Sequence, residues 1–194
     1  MVSESKNKYD LIRSFPSNLD KDVQHVIDVI PDESHLNYNR LNYSDFMELR
    51  LSGETLYIPY RIYYDEPNDS QLSSLTVDQR TILYTMYTRH HDGFVRERNV
   101  KKAIEKAIEC AWITPYLMLL IGEYVEEIVQ VIYDNRSLLN ADLVKTFVGE
   151  NQRFYRTVQS RVVSYWDCYY RRKYPMTEQY VGFQVLDYMN RLLN

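Results

Sequence analysis

Between Leu19 and Ile30 the apolar side chains fall at positions 19, 23, 26, 27 and 30, a spacing that lines one face of a helix. Pro31 closes that segment. His35 follows in a loop-like SHLNYN stretch, and Ser44 then reads as the N-cap of a short helix running to Leu51, where Ser52-Gly53-Glu54 breaks it. In LYIPYRIYYDEPNDS the pattern changes: aromatic and β-branched residues dominate, and Pro59 interrupts them. An extended, tyrosine-rich segment near 55–64 is predicted, as a lone strand, an edge pair or a strap across helices. PNDSQLSS reads as a loop.

Helical periodicity is clearest over 76–175. Thr76-Val77-Asp78-Gln79 is a capping box, with Leu75 placed as its staple residue. The helix it opens runs to about His90, and Asp92-Gly93 turns the chain. A second helix segregates Val100, Ile104, Ala107, Ile108 and Ala111 from Arg98, Lys101, Lys102, Glu105, Lys106 and Glu109. A third segment, about Ile113 to Tyr133, carries its stripe at Leu117, Ile121, Val125, Ile128, Val129 and Ile132, with Pro115 in the first turn. Gly122 leaves two readings open there, one helix or two. Leu143, Phe147, Asn151, Phe154, Val158, Val162, Tyr165 and Tyr169 then predict one long helix ending by Pro175, about 30 residues and roughly 45 Å in length. A last helix, about Tyr180 to Leu193, buries Val185, Leu186, Met189 and Leu193.

These elements predict a mostly α fold, an antiparallel helical array or bundle forming a single domain over 1–194, with 1–15 readable as disordered. Asp92-Gly93-Phe94-Val95-Arg96 resembles the turn and Val-Arg start of a HEAT repeat. Pro115-Tyr116-Leu117 resembles a first-helix opening, with Glu123-Tyr124-Val125 near the next turn. The resemblance covers about residues 76–135, and it implies an interaction scaffold.

Composition narrows the field of functions. A net charge of −4 gives no global affinity for nucleic acid, but the charge is uneven. Residues 1–75 hold 7 basic and 13 acidic side chains, whereas 137–175 hold 7 and 3. Either the two regions attract one another within the fold or they are outer faces for different partners. Cys110 and Cys168 are far apart and form no CxxC, which favours a reducing, cytoplasmic setting. MVSESKNKYD lacks the apolar core of a signal peptide. The run AWITPYLMLLI is about half the ~20 residues of a membrane span. Low glycine content, with no clustered Gly loop, argues against a phosphate-cradling motif.

Three groups are candidates for chemistry. His90, His91 and Asp92 lie side by side, but adjacent helical residues point about 100° apart. Only His25 and His35 remain elsewhere, so the trio reads as a hinge rather than a metal or catalytic site, and no metal or cofactor is expected. Glu123, Glu126 and Glu127 fall on one predicted helix face and read as a solvated or partner-binding patch. With Tyr57, Tyr60, Tyr63 and Tyr64 they form the expected surface for another, basic protein, as an inhibitor or immunity-type module would use. The alternative is RNA or single-stranded DNA, bound through Arg153, Arg156, Arg161, Arg171, Arg172 and Lys173 with the aromatics of SYWDCYYRRKY. Asn151, on the apolar stripe, needs hydrogen-bond partners if buried. Cys168 reads as a buried cysteine.

Overall fold

The computed structural model describes residues 8–31 and 46–193. Its α-helices are α1 (Asp20–Val29), α2 (Asp69–Ser73), α3 (Val77–Tyr87), α4 (Gly93–Ala103), α5 (Thr114–Ile121), α6 (Glu126–Asp134), α7 (Ala141–Glu150), α8 (Gln152–Tyr165) and α9 (Val181–Leu193). Strands β1 (Phe46–Leu51) and β2 (Glu54–Pro59) form an antiparallel hairpin. The fold is mostly α. Among the described residues no helix is long and apolar enough to cross a membrane.

Helix α5 is the axis of the core. All of its residues are buried, as its unbroken apolar run requires, because a helix apolar on every side must be covered on every side. It packs on α6, α7 and α8, while α9 crosses α6, α7 and α8. Helix α4 joins this group through α3 and α6, and α1 continues it beyond α3. Gly122 settles its segment as two helices: α5 stops at Ile121, and α6 begins only at Glu126.

The PNDSQLSS stretch, read as a loop, holds helix α2, capped by Asn68 with Gln71. Three larger expectations are corrected. The short helix ending at Leu51 is instead strand β1. Leu49 and Leu51 are buried while Glu48 and Arg50 are exposed, a period of two that selects a strand. Ser52 and Gly53 supply the tight turn, with φ of 52° and 87°, so SGE is a hairpin bend and not a helix stop. Ser44 and His35 lie outside the described residues. Second, part of the stretch read as disordered is packed: Lys8–Ser14 is a 3-10 helix in which Leu11 and Ser14 are buried, and Tyr116 Oη donates to Ser14 O at 2.8 Å.

Third, the single long helix is two helices followed by a π-turn at Trp166–Tyr170. Asn151 makes the break, with φ −130° and ψ 41°. Its Nδ2 donates to Phe147 O and to Arg50 O, each at 2.8 Å, and its Oδ1 accepts from Arg50 N at 2.8 Å. One amide therefore ends α7 and serves the outward-facing backbone of β1 as a neighbouring strand would. The second predicted helix is also shorter than its stripe. Helix α4 ends at Ala103, a 3-10 turn follows over Ile104–Lys106, and Ile108 is exposed.

Candidate functional site

The chain leaves α3 through Arg89-His90-His91 and enters α4 at Gly93. Ile62 N donates to Arg89 O and His91 N to Ile62 O, both at 2.9 Å, which stitches the segment after β2 to this turn. The Asp92 carboxylate caps α4, accepting from Phe94 N at 2.8 Å. His90 Nδ1 accepts from Asp92 N at 3.1 Å. Tyr87 stacks on His90 and Tyr63 on His91. Burial, with the neighbouring His91, brings the His90 imidazole down to about 4. Among the described residues no group of three or more His, Cys, Asp or Glu side chains is placed to hold a metal ion. The geometry of the trio is that of a capped turn.

Behind the turn lies a buried ionic cluster. Glu123, in the link between α5 and α6, faces Arg61 at 2.9 Å, Arg89 at 3.5 Å and Arg96 at 3.6 Å. The guanidinium groups spend their other donors on backbone carbonyls. Arg96 Nη1 binds His90 O and His91 O, each at 2.8 Å, and Arg89 binds Pro59 O at 3.2 Å and Tyr60 O at 2.6 Å. Arg96 Nε has no hydrogen-bond partner among the described residues. Three guanidiniums meet one carboxylate, an excess of two positive charges in the interior. Burial lowers Arg89 to about 10, against the attraction of Glu123. The Tyr60 ring lies beneath several cations, with Arg61 at 4.6 Å, Arg161 at 5.6 Å and Arg89 at 5.7 Å from its centroid.

This frame carries an exposed aromatic ridge. Phe94 is 79% exposed, Tyr169 67% and Tyr124 48%. Tyr124 meets Tyr165 edge to face at 6.1 Å, and Tyr165 meets Tyr169 at 6.2 Å. Gly93, next to Phe94, lies against Val125, so the start of α4 abuts the same edge. Tyr170 Oη fixes the ridge from below by donating to Tyr124 O at 2.6 Å.

The structure divides the residues expected to bind a partner. Tyr64 is buried, and Tyr57, Tyr60 and Tyr63 are half-buried, so the tyrosines of 57–64 line the core boundary and do not make an open face. Glu123 is 4% exposed and belongs to the buried cluster; it lies outside any helix, apart from Glu126 and Glu127. The Glu126 carboxylate accepts from Lys173 Nζ at 2.9 Å and from Tyr174 Oη, which ties α6 to the end of the π-turn. Lys173 is raised by its hydrogen bonds to Tyr174 and Glu126. Of the acidic trio only Glu127 is exposed.

The basic set divides as well. Arg171 pairs with Asp167 at 2.8 Å and Lys173 with Glu126. Arg153, Arg156, Arg161 and Arg172 form no ion pair among the described residues; Arg161 is half-buried and the other three are exposed. Cys168, expected to be buried, is exposed. Sequence reasoning missed Phe94 and Tyr124 because each was absorbed into a motif, and it placed Tyr169 on the buried stripe. The available signal was that Phe94 is flanked by the capping Asp92-Gly93 pair and precedes the buried Val95, so it had to face outward.

No protein-family model, curated protein or solved structure matches the chain.

Proposed function

We propose that this protein is a non-enzymatic module that docks another protein through the ridge of Phe94, Tyr124, Tyr165 and Tyr169. The observation that carries this reading is the exposure of Phe94, 79% on a helix start whose neighbours Val95 and Arg96 are buried. A large exposed apolar ring near other exposed aromatics suits a hot spot. Tyrosine is another side chain enriched at such sites; Gly93 faces Val125, next to Tyr124, and Tyr165 and Tyr169 continue from Tyr124. The cations of α8 favour a partner with acidic groups, in place of the basic partner that the acidic front of the chain suggests. The α3–α4 packing supports reading this part of the chain as a HEAT-like support for the ridge.

The test is affinity capture from the source cells with wild-type chain and with a Phe94→Ala/Tyr169→Ala variant, each with and without nuclease. The reading expects a stoichiometric protein retained by the wild type and lost from the variant. Equal capture by both, or capture abolished by nuclease, sinks it.

A second reading rests on a separate observation: α8 contains no acidic residue and carries Arg153, Arg156 and Arg161 without ion pairs among the described residues. Single-stranded nucleic acid bound along α8 would pair phosphates with these arginines and stack bases on Tyr165 and Tyr169. Its signature is an affinity that falls steeply with salt and weakens in Arg153→Gln/Arg156→Gln. Salt-independent binding contradicts it.

A further inference from the structure

A groove of about 450 Å³ runs between β1 and the first half of α8, the size range of small-molecule sites. Met47, Leu49 and Phe154 give it an apolar lining, and Arg50, Arg153 and Arg161 line it as well. None of these arginines has an acidic partner among the described residues. Two carboxylates also line the groove. Glu150 is already committed, accepting from Ser52 N at 2.9 Å and Gly53 N at 3.1 Å to brace the hairpin turn. Glu48 stands exposed on the rim, where it would accept hydroxyl hydrogen bonds.

The electrostatics behind the groove have the same sign. Arg161 shares the Tyr60 ring with Arg61 and Arg89, so the groove backs onto the buried cluster with its two excess positive charges. Such fixed charge, weakly screened in the interior, raises the positive potential along the groove. Several arginine forks lining one groove suit the three terminal oxygens of a phosphate monoester. The Phe154 ring and the apolar lining suit a planar ring, and Glu48 suits a sugar.

We propose that this groove binds a nucleoside phosphate, with the phosphate held by Arg50, Arg153 and Arg161 and the base laid against Phe154. The site is separate from the aromatic ridge, so its failure and the failure of protein docking are distinguishable.

The experiment is calorimetric titration of the full chain at low salt with AMP, adenosine, inorganic phosphate and a single-stranded adenine oligonucleotide lacking terminal phosphate. AMP is expected to bind at least about tenfold more tightly than adenosine or inorganic phosphate. Arg50→Gln and Arg153→Gln are each expected to weaken AMP about tenfold, the usual effect of losing a charge-assisted contact. Both residues are exposed, and retained melting temperature shows that the variants fold. Phe94→Ala/Tyr169→Ala should leave AMP binding unchanged. AMP binding no tighter than adenosine, or indifferent to the Arg50→Gln/Arg153→Gln double variant, overturns the proposal. Inorganic phosphate matching AMP overturns it in favour of a bare anion patch. The oligonucleotide outcompeting AMP overturns it in favour of a polymer-binding face.

Discussion

At Glu123 a single carboxylate serves three guanidinium groups drawn from the segment after β2, the end of α3 and the first turns of α4. Its removal leaves buried cations facing one another, so Glu123→Gln should lower unfolding free energy by about 3–5 kcal/mol, read from urea denaturation. Arg61→Gln, at the cluster's edge, should cost clearly less. His90 sets an acid limit on the same region. Its folded value of about 4 lies below the ordinary 6.5, so the unfolded chain binds the proton more readily. The associated stability is complete above pH 6.5 and is lost as pH falls toward 4, by roughly 2 kcal/mol after solvent screening. In His90→Asn, which keeps an acceptor for Asp92 N, the stability profile between pH 4 and 6.5 should flatten. At this scale little was legible. Arg89, Arg96 and Glu123 sit in plain view in RHHDGFVRE and GEYVEE, but charged residues in helical stretches read as solvent-facing, and only the folded path brings Arg61 to them.

Helices α1, α6 and α9 could be read from their stripes because each buries one face only, and α3 from the Thr76 capping box, which forms as the residue types require. The misreadings of the long helix and of the second helix have one cause in common. The period of an apolar pattern reports which face is buried, not whether the backbone runs unbroken. Across Asn151 the stripe continues in phase while the helix stops, since the break comes from hydrogen bonds to a strand 101 residues earlier. Asn151→Ala removes those bonds and should cost about 2 kcal/mol; a change within 0.5 kcal/mol in denaturation would show that the latch is not needed. The close approach of α9 offers a complementary measurement. A Cβ on Gly182 would lie 2.5 Å from Tyr180 Cε1 and 2.9 Å from Val162 Cγ1. Gly182→Ala should therefore destabilise by about 1–3 kcal/mol, although alanine is the better helix former.

Over the whole molecule, the ridge proposed for docking lies apart from the buried groups that hold the fold. The ridge of Phe94, Tyr124 and Tyr169 is exposed, and truncating Phe94 and Tyr169 to alanine should shift stability by no more than about 0.5 kcal/mol each while removing protein capture. Thermal melts of the two variants alongside the capture experiment separate the effects. The mostly α architecture was visible in the pattern of apolar positions. The exposed aromatic ridge was not, because exposure at one end of a helix depends on which neighbouring elements stop short of it. The hairpin also has a consequence for synthesis of the chain. Its outer edge is held by Asn151 and its turn by Glu150, residues that leave the ribosome about 100 positions later. At an elongation rate of about 5–20 residues per second, β1 waits roughly 5–20 s with an unsatisfied edge. Through that interval the Arg50 position on the edge of β1 lacks the partner that Asn151 later supplies.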